Sequence, residues 1–131
     1  MEFISIFAAA FASYAFGAIW YMVNTKAWVA ASGVELGENG QPKDRSNPMP
    51  YIVSFICTVI VAGMMRHIFA LAGIDSLAKG VVAGLGVGLF LVTPWVVTNY
   101  TFAGRPRALS LIDGGYATIG CAIMGAVLTL F

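Results

Sequence analysis

Four stretches of this chain are nearly free of charge, and each is long enough to cross a bilayer. Residues 3–25, 46–65 and 80–104 contain no Asp, Glu, Lys, Arg or His, and residues 108–131 contain only Asp113. About 20 apolar residues in a helix cover the hydrocarbon core. Within lipid the backbone must bond to itself, so only helices or closed barrels span. Barrel strands alternate apolar and polar residues over about 10 positions, and these runs are longer and continuously apolar. The sequence therefore predicts an all-α integral membrane protein, a single domain over residues 1–131. Its four transmembrane helices fall at about 3–23, 50–72, 79–103 and 109–131, in an antiparallel bundle.

Composition agrees. Of the 131 residues, 60% are hydrophobic and 10% charged, against about 45–50% and 25% in soluble domains. A chain this short cannot bury so much apolar surface within itself. Seven Lys or Arg stand against six Asp or Glu, and this balance excludes a nucleic-acid binder, which needs a basic face. The first run has no basic segment ahead of it and is too long for a secretory signal. Cys57 and Cys121 lie in apolar stretches and read as small buried hydrophobes. One histidine, His67, cannot make a zinc or two-histidine haem site, so neither metal nor cofactor is expected.

The polar loop 24–49 is the largest connector. Lys26-Ala27-Trp28 carries helix one toward the interface before Gly33, and Asn39-Gly40 marks a tight turn. Pro48 and Pro50 stand at the entrance to helix two, where a missing N–H does least harm. Gly73 can end that helix, and Asp75 can cap the next while pairing with Lys79. Gly104-Arg105-Pro106-Arg107 forms the last link. Short links make successive helices neighbours. Lys26, Lys43, Arg45, Arg105 and Arg107 all lie in the first and third loops. Basic residues favour the cytoplasm, which puts both termini on the periplasmic side.

Small residues recur at four-residue spacing on three helices. Gly80, Gly84 and Gly88 mark helix three, Ala117, Cys121 and Gly125 helix four, and Ala9, Ser13 and Gly17 helix one. Membrane helices associate through such smooth stripes and through polar contacts. The stripes suit packing within one bundle, or self-association on the glycine stripe of helix three. Pro94 should kink helix three and strip the Phe90 carbonyl of its donor. Thr93, Thr98 and Asn99 are placed to satisfy the disturbed backbone. Trp20, Tyr21, Trp28, Tyr51, Trp95, Tyr100 and Phe102 read as an interfacial belt.

Two charges stand inside the predicted helices. Arg66 lies about 9 Å from the end of helix two, and an intramembrane charge calls for a partner. Glu2 and Asp75 are the candidates, with His67 alongside. Such a cluster could hold an anionic headgroup, a quinone or a proton relay, or Arg66 could snorkel to the interface. Asp113 lies at the other face, near Asn99, Arg105 and Arg107, where an acid close to a helix start is favoured by the helix dipole.

No catalytic residues are assigned. The chain has no phosphate-binding glycine loop, no Ser-His-acid grouping, no paired carboxylates on one helix face and no activated thiol. A four-helix drug exporter would place an acid near the midplane, and none is there. The favoured expectation is a non-enzymatic protein packing against itself, as a homo-oligomer, or against a larger membrane complex. The rival is a lipid, quinone or small-solute binder or transporter using the two polar clusters.

Gly17-Ala18-Ile19-Trp20-Tyr21 with Lys26-Ala27-Trp28, and the closing run 100–131 with Arg105, Asp113-Gly114-Gly115-Tyr116 and Gly125, resemble the family catalogued as domain of unknown function 1761. The resemblance implies a small four-helix protein of bacterial inner membranes, and implies no activity.

Overall fold

A computed structural model describes residues 1–131 and is helical throughout its apolar runs. Helix α1 spans Glu2–Val23, α2 Thr25–Ser32 and α3 Met49–Ala72. Helices α4 (Leu77–Gly86) and α5 (Thr93–Phe102) form one continuous span with a π-helical turn, Val87–Val92, between them. Helix α6 covers Arg107–Leu128. Four segments, Glu2–Val23, Met49–Ala72, Leu77–Phe102 and Arg107–Leu128, are long and apolar enough to cross a membrane. The chain is thus built as a multi-pass membrane protein.

The ends of these helices follow from local chemistry. At the end of α1, the Asn24 amide Nδ2 donates to Trp20 O and the Thr25 hydroxyl to Tyr21 O, so side chains satisfy the last carbonyls. The chain does run on helically, as expected, but as the separate α2 after a break at Asn24. Gly33 then ends α2, and Gly73 ends α3, each in the left-handed conformation that glycine adopts without penalty. Ser76, rather than Asp75, caps α4. Asp75 forms its expected pair with Lys79, at 2.8 Å.

The helices do not close into a symmetric bundle. Span four (α6) is central. Span one lies on one side of it and span three on the other, while span two packs mainly on span one. Spans two and three, although joined by four residues, do not pack along their length. The short link makes them antiparallel without making them neighbours. The most buried core, formed by Ala9, Ala10, Ala62, Met65, Phe69, Cys121, Met124 and Leu128, sits where spans one, two and four meet near the termini. Cys121 is buried there as expected. Cys57 instead faces outward from α3.

The glycine stripe of span three is filled from within the same chain. A Cβ on Gly80 would strike the Gly125 backbone, one on Gly84 the Cys121 backbone, and one on Gly88 the backbone of Ala117 and Thr118. The paired numbers step by four in opposite senses, as an antiparallel helix pair with backbones in direct contact requires. The small-residue stripes of helices three and four thus lie against each other within the chain. Ahead of Pro94, where a kink is expected, the helix changes its winding. Thr93 N–H bonds Gly88 O five residues back, and the Thr93 hydroxyl bonds the same carbonyl at 2.7 Å. Thr98 and Asn99 are exposed and take no part.

Gly84→Ala is expected to destabilise the protein by about 1–3 kcal/mol, because helix backbone cannot yield to a methyl group. Gly86→Ala, whose methyl meets nothing within 4 Å, should stay within about 0.5 kcal/mol of the parent. Reversible unfolding in mixed micelles, followed by circular dichroism, compares the two. Equal effects would contradict this packing.

Candidate functional site

The strongest concentration of interhelical polar contacts lies at the start of α6. Asp113 Oδ1 accepts from the Tyr21 hydroxyl at 2.6 Å, and Oδ2 from the Tyr100 hydroxyl at 2.5 Å. An ionised carboxylate only accepts hydrogen bonds, and here each oxygen receives one, from spans one and three respectively. The neighbouring Trp20 Nε1 donates to Ile112 O at 2.9 Å. The Thr93 hydroxyl reaches Gly114 O at 3.1 Å. One turn of α6 thereby holds both flanking spans.

The turn is shaped to be approached closely. A Cβ on Gly114 would meet the Thr93 methyl at 2.7 Å, one on Gly115 the Trp20 ring at 2.8 Å, and one on Gly17 the Tyr116 ring at 2.7 Å. The two stretches that carry the family resemblance therefore dock on each other. Gly17 lies under Tyr116, Trp20 on Gly115 and Tyr21 on Asp113. A family model described as "Protein of unknown function (DUF1761)" matches residues 4–129. The chain belongs to that family. No curated protein and no solved structure matches the chain. The description of the DUF1761 family assigns no activity.

The expected partners of Asp113 are elsewhere. Asn99 points outward beside Tyr100. Arg105 donates through Nη1 to Ser32 O at 3.0 Å, docking the end of α2 onto the bundle, and Arg107 has no partner. The expected belt divides. Tyr51, Trp95 and Phe102 are exposed, whereas Trp20, Tyr21 and Tyr100 turn inward as donors. Their polar tips gave the missing signal. An intramembrane acid needs donors, and Tyr21 and Tyr100 sit at its depth.

At the other end, the grouping of Glu2, Arg66, His67 and Asp75 is not brought together. Arg66 Nη1 donates to Leu128 O at 3.0 Å, placing a cation at the carboxyl end of α6, where the helix dipole favours it. Its buried Nε has no partner. Glu2 and His67 are exposed, and Asp75 is taken by Lys79, the one ion pair in the protein. Hydrogen bonding and charge from Lys79 hold the exposed Asp75 carboxyl below its ordinary range. A lowered carboxyl pKa contributes stability above its unfolded value, lost as pH falls through the folded one. Lys79→Gln should return Asp75 to the ordinary range in a carboxyl-carbon NMR titration, whereas an unmoved midpoint would contradict the pairing.

Spans three and four meet at Thr93 and Gly114, and a surface depression runs along this seam. A groove of about 620 Å³ opens there, lined by Leu89, Thr93, Val97 and Thr101 on one wall and Ser110, Leu111, Thr118 and Ile119 on the other. Arg105 and Arg107 stand at its mouth. Its threonine hydroxyls are engaged with backbone carbonyls: Thr93 with Gly88 and Gly114, Thr101 with Val97, and Thr118 with Gly114.

Removing either phenol should cost about 1.5–3 kcal/mol, the usual range for a hydrogen bond to a charged group. Tyr21→Phe and Tyr100→Phe together should cost more than the sum of the singles, because the carboxylate is then left with no donor. A double-mutant unfolding cycle in micelles reads the coupling. Strict additivity would show that Asp113 is satisfied by other groups.

Proposed function

We propose that the protein is a non-enzymatic membrane protein that binds a small amphipathic ligand between spans three and four. The groove beside α6 carries this reading. Its walls are apolar, its mouth is cationic, and it opens sideways where lipid-dissolved molecules would enter. Its threonine hydroxyls are committed to the backbone, and it holds no carboxylate, histidine or thiol, so its chemistry favours binding over turnover. Membrane sites often sit where helices part. With five basic side chains gathered on the loops at that end, the same reading orients the mouth toward the cytoplasm and the termini toward the periplasm of a bacterial inner membrane.

A contact with further copies, or with a larger membrane complex, is the second reading. The outward faces of spans two and three would have to make it, since the glycine stripe lies inside the protomer. Native mass spectrometry after gentle extraction tests the first reading. The parent should retain a bound small amphiphile that Thr101→Trp, which fills the groove from its exposed wall, releases. An identical bound population in both, or none in either, would contradict it.

A further inference from the structure

We infer that the occupant of this groove is an anionic phospholipid, its phosphate held at the mouth by Arg105 and Arg107 and one acyl chain lying along the α6 wall. The inference rests on the groove reading above and adds the chemistry of the ligand.

Three independent features of the mouth favour an anion. Arg107 makes no hydrogen bond or ion pair, and no carboxylate reaches Arg105, which spends one Nη on Ser32 O. Helix α6 begins at Arg107 with no side-chain cap, so the positive end of its dipole lies at the same loop. The nearest intramembrane acid, Asp113, is instead engaged by two tyrosine hydroxyls, one on each oxygen. Two guanidinium groups therefore line the mouth with no carboxylate paired to either.

The body of the groove requires that the anion carry a tail. From Arg107 to Ile119 the α6 wall runs about 18 Å at the helical rise. That is close to half of the roughly 30 Å hydrocarbon core, the depth of one leaflet. Leu111 and Ile119 line this length. Ser110, one turn inside the mouth, has a hydroxyl with no protein partner, at the depth where ester oxygens follow a phosphate. A free inorganic anion would satisfy the mouth and leave the apolar length empty.

The test uses the full chain in neutral detergent with native mass spectrometry, titrating dioleoyl phosphatidylglycerol, dioleoyl phosphatidylcholine and glycerol 3-phosphate. One phosphatidylglycerol per chain should bind about tenfold or more tightly than phosphatidylcholine, since each basic residue near an anionic lipid contributes on the order of one factor of this kind. Arg105→Gln/Arg107→Gln should erase that preference. Arg107→Gln alone should weaken it with the fold untouched, because this exposed side chain makes no hydrogen bond or ion pair within the protein. Thr101→Trp should abolish binding with both arginines intact. Phosphatidylglycerol preference that survives Thr101→Trp would overturn the inference in favour of a surface charge effect. Binding of glycerol 3-phosphate as tight as the lipid would overturn it in favour of a free phosphate. A groove occupied by another amphiphile, released by Thr101→Trp but indifferent to both arginines, would refute the anionic lipid and leave the proposed function standing.

Discussion

One carboxylate, shared by two phenols, organises the loop end of this protein. Asp113 is the only acid within its span, and in lipid such a group must find donors or be expelled. Tyr21 and Tyr100 come from the two flanking spans, so satisfying the acid also fixes span four between one and three. Trp20 on Ile112 O and Thr93 on Gly114 O repeat the same logic within a single turn. Helices in a bilayer gain little from the hydrophobic effect when they meet. Directional contacts of this kind, together with backbone contact, decide which helix becomes central.

The groove is a consequence of how span three is held. From Gly80 to Gly88 its backbone lies directly on that of α6, because nothing but glycine fits. Beyond Gly88 the residues facing α6 gain side chains: Leu89, Thr93 and Val97. The π-helical turn falls at this change, and Thr93 fills the gap with a hydroxyl bonded to carbonyls of both helices. The Tyr100–Asp113 contact joins the two spans again. The depression along their seam stays open, with two unopposed arginines at its mouth.

Much of this was legible in the residues. Charge-free runs located the four spans to within a few positions, because lipid tolerates so few alternatives. Four-residue spacing identified the helix three–helix four contact, since only small residues permit backbone approach. Lateral order was not legible: a four-residue link dictates direction and says nothing about whether helices share a face. Nor were the partners of the two charges inside the helices. Arg66 found a carbonyl at the end of α6 instead of an acid, and backbone acceptors are invisible in a list of side chains. Tyr21 and Tyr100 were hidden by their amphipathic nature, as a tyrosine near a helix end suits the interface and the interior equally well.

The interlocking of residues 17–21 with residues 113–116 through the Asp113 carboxylate is the claim on which the arrangement of spans one, three and four depends. Solid-state NMR on protein in lipid bilayers, with the carboxyl carbon of Asp113 and the tyrosine ring carbons labelled, measures it directly. The carboxyl carbon should show close contact with the rings of both Tyr21 and Tyr100. Contact with only one ring, or with neither, would contradict the account.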